Sequence, residues 1–143
     1  MSQPPKYSLP EIERRWLVDK SQLPDLTGLL ITHILDLYID NTRMRLRKMT
    51  AEDGTITYKL CKKYGNTGVY SEPITNIYLT KEEYETFQHL IGRWVEKNRY
   101  RLPQGGSLDI PVDENQIVFE IEFASVEEAI RYEPDFPVLK EIL

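Results

Sequence analysis

The sequence predicts a mainly β domain, an antiparallel sandwich or a closed barrel with few helices. Three observations lead there: eight runs of alternating apolar and polar residues, turn signals between them, and only two segments that open with a helix-start signature. The expected strands are residues 11–18, 32–40, 43–49, 55–63, 74–79, 97–102, 107–112 and 117–123. Asp53-Gly54, Gly65-Asn66, Gly105-Gly106 and Asp113-Glu114-Asn115 fall between runs, where tight turns need residues that tolerate a left-handed backbone. Thr80 and Glu83 form a capping box ahead of Tyr84, Phe87, Ile91 and Trp94, which recur at helical spacing, and Ser125 with Glu128 repeats the device before a shorter helix. A further short helix is expected over residues 25–30. Trp16, Phe87 and Trp94 are expected in an apolar layer between sheet and helices.

The 143 residues make one domain's worth of chain, read as a single domain over 1–143. With 41% apolar and 29% charged residues, the composition excludes collagen, disorder and membrane spans. A chain of this length buries roughly 68–70% of its unfolded surface, enough to fold without a disulfide or structural metal. The single cysteine, Cys61, could make neither, which favours a reducing compartment. The start lacks the apolar run of a signal peptide, so a cytoplasmic protein is expected. A net charge of −5, from 23 acidic and 18 basic residues, argues against a surface that wraps nucleic acid.

Successive side chains of a strand point to opposite faces, so each run splits into two sets. Glu11, Glu13 and Arg15 share one face; Arg43, Arg45 and Arg47 share another, opposite Met44 and Leu46. Thr57, Lys59, Cys61 and Lys63 oppose Ile56, Tyr58 and Leu60, and Lys97, Arg99 and Arg101 oppose Tyr100 and Leu102. Asp109 faces away from Leu108 and Ile110, and Glu120 and Glu122 oppose Phe119 and Ile121. A merely solvated face would mix its charges. Here acids and bases are sorted by strand, although like charges so placed repel. The simplest reason is a ligand that carries both a strong anion and a metal cation.

Carboxylates two residues apart on a strand sit roughly 6.5–7 Å apart at Cα and point the same way. Glu11/Glu13 and Glu120/Glu122 lie near opposite ends of the chain, and closing a barrel would bring them together. An oxygen-only set selects Mg²⁺, Mn²⁺ or Ca²⁺ over zinc. Clustered Arg and Lys suit phosphate oxygens, which Arg can bind bidentately.

These residues resemble a known family. Glu11-Ile12-Glu13-Arg14-Arg15 is similar to the E-x-E-x-K signature that opens CYTH-domain proteins, the triphosphate tunnel metalloenzymes. Arg45-Leu46-Arg47 resembles the family's R-x-R strand, Thr57-Tyr58-Lys59 its T-x-K strand, Glu96-Lys97-Asn98-Arg99-Tyr100 its E-K-T-R-Y strand, Leu108-Asp109-Ile110 its acidic strand, and Glu120-Ile121-Glu122 its closing E-x-E. The resemblance spans nearly the whole chain. It implies an eight-stranded antiparallel closed barrel with a polar lumen and helices outside, which binds a small triphosphate with a divalent metal, Mg²⁺ or Mn²⁺. It implies Glu11, Glu13, Glu120 and Glu122 as metal carboxylates, with Asp109 as a further ligand or water-orienting group. Arg15, Arg45, Arg47, Lys59 and Arg99 would hold phosphate oxygens, joined by Lys63, Lys97 and Arg101, and Glu11, Glu13, Arg15 and Lys59 would form the catalytic set.

The chain departs from the family pattern at Arg15, where a lysine is usual, and at Glu141-Ile142-Leu143, where the family continues into a basic and aromatic tail. The leading expectation is metal-dependent hydrolysis of inorganic triphosphate or a similar small organic triphosphate. The alternatives are a protein that binds triphosphate or polyphosphate without turnover and a class IV-type adenylate cyclase, for which the sequence shows no base-binding feature. No nucleic-acid or membrane partner is expected, and the protein is read as a monomer or homodimer.

Overall fold

In a computed structural model describing residues 3–143, nine strands form one antiparallel sheet. The strands are β1 (Leu9–Val18), β2 (Ile31–Ile39), β3 (Met44–Thr50), β4 (Ile56–Lys63), β5 (Ser71–Leu79), β6 (Gly92–Arg101), β7 (Ser107–Pro111), β8 (Ile117–Glu122) and β9 (Lys140–Ile142). Their order is β5-β4-β3-β2-β6-β7-β8-β1-β9, and a second pairing of β1 with β5 closes the first eight into a barrel. β1 does this by dividing its length. Leu9–Ile12 pair with β5, whereas Glu13–Val18 pair with β8 and Arg15–Leu17 also take β9. Closure satisfies the backbone groups that an open sheet leaves bare at its edges.

Apolar residues face outward from the barrel in two clusters. Trp16, Val18, Leu102, Leu108, Ile117 and Phe119 form one, roofed by Leu23, Leu26, Leu29, Tyr132, Phe136 and Val138 from connecting segments. Leu37, Leu46 and Leu60 form the other beneath Tyr84 and Phe87 of helix α1 (Lys81–Phe87). The core thus lies outside the barrel wall, which leaves the interior to the charged face of each strand. Arg14, on the outer face of β1, ties the C-terminal segment down. It forms two 2.8 Å bonds to Glu141, donates to the Ala129 and Tyr132 carbonyls, and lies between the rings of Trp16 and Tyr70.

The Thr80/Glu83 capping box forms in full, whereas at Ser125/Glu128 only the serine half is present. The Thr80 hydroxyl accepts from Glu83 N and the Glu83 carboxylate accepts from Thr80 N, while Ser125 accepts from Glu128 N at the start of α2 (Val126–Arg131). Two helix expectations fail. The first helix stops at Phe87, and Trp94 lies in β6, 45% exposed, outside the apolar layer it was expected to join. The reason is Gly92, which pairs with Ile39 so closely that a Cβ there would lie 2.1 Å from the Tyr38 carbonyl oxygen. Strand pairing therefore overrides the 3–4 spacing of Ile91 and Trp94. Residues 25–30 form no helix, because Gly28 takes a left-handed φ of +74° in a turn where Asp25 accepts from Thr27 N. The described helical structure upstream is a short 3-10 turn, Lys20–Gln22. β9 was not foreseen, since three residues carry no periodicity. No described helix is long and apolar enough to cross a membrane.

Candidate active site inside the barrel

Directly opposed residues of antiparallel neighbours share a face. The register therefore builds rungs across the interior: Val95–Asp36–Arg47–Lys59–Tyr78 and Arg93–Tyr38–Arg45–Cys61–Asn76 run across β6, β2, β3, β4 and β5. On the other side Arg99 faces Asp109, Arg15 faces Glu120, and Glu13 faces Glu122. These rungs enclose a cavity of about 450 Å³, within the range of small-molecule sites. Glu11, Glu13, Arg15, Arg45, Arg47, Lys59, Lys63, Lys97, Arg99, Glu120 and Glu122 all line it.

Glu11, Glu13 and Glu122 bring one carboxylate oxygen each within 4.8 Å of the others. Burial, then the charges of Glu120 and Glu11, push the Glu13 carboxyl up to about 7, against the pull of Lys63 and Arg15. Lys63 meets Glu11 at 3.2 Å and Glu13 at 3.9 Å, and Arg15 Nε lies 3.8 Å from Glu13. An all-oxygen set held this close fits a hard divalent cation, whose charge would favour the ionised form of Glu13.

The cations fall into two kinds. Arg47 is committed: its Nε and Nη2 donate to Asp36 at 2.7 and 2.9 Å, both residues being buried. Arg99 likewise donates to Asp109 at 2.8 and 2.9 Å and to Glu120 at 2.8 Å, and Lys97 meets Asp109 at 2.7 Å. Burial works against the Arg99 charge, but Asp109 and Glu120 raise its pKa above the ordinary arginine value. Arg45 and Lys59 are different. Arg45 Nε is buried with no hydrogen-bond partner among the described residues, and its nearest acid, Asp36, stands 3.9 Å away and is already held by Arg47. Lys59 has no ion pair among the described residues, and burial, then Arg47 and Arg45, lower its pKa. Arg45, with its Nε unsatisfied though, against burial, Asp36 and Tyr38 hold its pKa above the ordinary value, and Lys59, without an ion pair among the described residues, stand beside the carboxylate trio and make a site for an anion that brings its own metal.

Two sequence-selected residues stand apart. Asp109 is engaged by Lys97 and Arg99, and burial is overcome by the Arg99 hydrogen bond to hold its pKa below the usual carboxylate value; it is not in the carboxylate trio. Arg101 does not line the 450 Å³ interior cavity but a neighbouring one where β2 begins and β6 ends, which shares Arg99, Glu120 and Glu122 with the interior. Sequence reasoning passed over Asp36, although an acid inside Ile34-Leu35-Asp36-Leu37 is a signal that something buried must pair with it. It also gave no role to Arg43, which borders the cavity with its guanidinium against Gly65, where a Cβ would come within 2.9 Å of Nη1.

Neither a family model nor a curated protein matches the chain. Two solved structures do, one of the hypothetical protein NE1496 and one of the inorganic triphosphatase NE1496. Each is 26% identical with a TM-score of 0.50 over 92% of this chain, covering 88% and 85% of their own. The closed eight-stranded antiparallel barrel and this likeness are consistent with a CYTH-type triphosphate tunnel domain. β9 is an addition to the eight-stranded barrel.

Proposed function

We propose that the protein hydrolyses inorganic triphosphate, or a related small organic triphosphate, inside the tunnel with Mg²⁺ or Mn²⁺. The observation that carries this is the pairing of the Glu11/Glu13/Glu122 trio with two half-buried cations, Arg45, whose Nε has no hydrogen-bond partner, and Lys59, which has no ion pair among the described residues. The likeness to an inorganic triphosphatase supports the same reading.

Arg45 and Lys59 donate to phosphate oxygens, each recovering a partner it lacks in the free protein. Arg47 and Arg99, fixed by Asp36 and by Asp109 with Glu120, hold their remaining N–H groups rigidly toward the substrate, so little ordering is left for the reaction itself. Glu11, Glu13 and Glu122 would hold the divalent ion, with Glu120 adjoining. A bound ion supplies charge neutralisation on the phosphate oxygens and orientation of the attacking water. Water adds to the terminal phosphorus, the anhydride P–O bond breaks, and pyrophosphate and phosphate leave. Arg15 contributes charge only, since a guanidinium does not give up its proton near neutrality.

The test is phosphate release from inorganic triphosphate with Mn²⁺, with Mg²⁺ and with chelator. Release that requires the ion and vanishes in E11Q/E13Q, with the fold intact by circular dichroism, is expected. Activity retained in that variant would overturn the assignment. Absence of release while triphosphate still raises Tm would leave a binding protein.

A further inference from the structure

Barrel closure leaves part of one strand without a neighbour. β1 joins β5 only over Leu9–Ile12, which oppose Ile74 to Ser71, so residues 75–79 of β5 pair with β4 on one side and, among the described residues, with no strand on the other. The direction of the backbone groups there follows from their neighbours. Pro73 O accepts from Tyr64 N on the β4 side, whereas Tyr70 O accepts from Glu13 N on the β1 side. Alternation then turns the odd-numbered residues of β5 toward β4 and aims the N–H and C=O of Asn76 and Tyr78 at the open edge. Beyond them Thr80 N donates to the Glu83 carboxylate and Thr80 O accepts from Tyr84 N, so the helix cap uses the next pair.

Edge strands are ordinarily blunted by charge, proline or shortness. β9 follows that rule, with three residues of which two are Lys140 and Glu141. The open part of β5 does not. Residues 73–80, Pro-Ile-Thr-Asn-Ile-Tyr-Leu-Thr, carry no charge in a chain that is 29% charged, and the one proline lies in the part that β1 covers. Asn76 is exposed, as are Ile77 at 53% and Tyr78 at 69%, although Ile77 and Tyr78 point to opposite faces of the sheet.

This edge is complementary to itself. A twofold axis through Ile77, perpendicular to the sheet, lays two β5 strands antiparallel with Asn76 of each opposite Tyr78 of the other. Each such pair exchanges both N–H···O=C bonds, so every backbone group left open is satisfied. Ile77 meets Ile77 in the closer, non-hydrogen-bonded position, Thr75 meets Leu79, and no like charges are opposed. A slip of two residues would set Tyr78 against Ile74, which β1 already holds.

We propose that the protein forms a homodimer joined edge to edge through residues 75–79 of β5. One free edge per strand closes the assembly at two copies. On the lumen face the register sets Tyr78 of one copy beside Asn76 of the other, and Asn76 lines the interior cavity, so the second copy supplies a side chain at its rim. The inference is independent of the triphosphatase reading.

Sedimentation velocity over a range of concentrations and residue-resolved amide exchange test it. The wild type should sediment as a dimer in which the Asn76 and Tyr78 amides exchange as slowly as those of Thr75 and Ile77. Ile77→Lys and Ile77→Glu should each sediment as monomers with an unchanged circular dichroism spectrum, because the axis sets each new charge against its own copy, and only the Asn76 and Tyr78 amides should lose protection. An equimolar mixture of the two variants should recover the dimer. A wild type that stays monomeric at every concentration, or a dimer that both variants retain, would overturn the proposal. Fast exchange of Asn76 and Tyr78 in a wild-type dimer would overturn it even if neither variant folds.

Discussion

Arg45→Met should separate stability from binding. In the free protein Arg45 keeps a buried, unpartnered Nε, and its charge sits beside Arg47 and Lys59. A buried donor without a partner costs about 1–3 kcal/mol. Against this stand, despite burial, Asp36, at 3.9 Å, and Tyr38, which hold the Arg45 pKa above its ordinary value, although Asp36 already takes two bonds from Arg47. Methionine has a similar reach, no charge and no donor, so the variant should gain about 1 kcal/mol, or roughly 3 °C in Tm for a domain of this size. Affinity for triphosphate should move the other way. A hydrogen bond to a charged group is worth about 1.5–3 kcal/mol, which is roughly 10- to 150-fold in Kd. Thermal denaturation without ligand and calorimetric titration with inorganic triphosphate plus Mn²⁺ read the two effects. A Tm lowered by more than 2 °C together with unchanged affinity would refute the idea that Arg45 is held in reserve for an anion.

Arg47→Ala should do the opposite in the free protein, because it strands Asp36 as a buried carboxylate. A loss of about 3–5 kcal/mol by urea denaturation is expected, with Asp36→Asn in the same chain returning part of it; a loss below 1 kcal/mol would show that Asp36 is not held by this pair. The Glu13 carboxyl, raised to about 7 mainly by burial, binds its proton more tightly in the folded than in the unfolded chain. Its contribution is therefore complete below about pH 4.5 and is lost as pH rises to 7, so metal-free stability should fall across that window by up to about 3 kcal/mol. Glu13→Gln should flatten the fall, and millimolar Mn²⁺ should offset it; a rise in metal-free stability over the same window would contradict the crowding of Glu11, Glu13 and Glu122.

Much of the fold was legible because the barrel is built from strands with a period of two. The alternation in β1, β3, β4, β6 and β8 marks one apolar and one charged face without reference to any partner, and each of the eight expected strands exists, although β6 starts at Gly92, five residues before its expected start. Thr80 with Glu83 and Ser125 with Glu128 placed two helix starts, because a cap is satisfied locally. Helix ends were less legible: nothing local to Ile91 and Trp94 shows that Gly92 must meet the Tyr38 carbonyl from another strand.

The charged faces, their residue types and their division into acidic and basic strands were settled by the sequence alone, since they depend only on side-chain identity and a two-residue repeat. Which charges remain available was decided by the tertiary structure. Arg45 and Arg47 are equivalent as letters two apart on one strand, yet cross-strand register sets Asp36 opposite Arg47 and leaves Arg45 without a bond at Nε. Glu120 and Glu122 are likewise equivalent in sequence, but one accepts from Arg99 and the other joins Glu11 and Glu13. Each of these depends on the position of one strand against another, fixed by barrel closure and the packing of two outer cores, and so is absent from any local stretch of the chain.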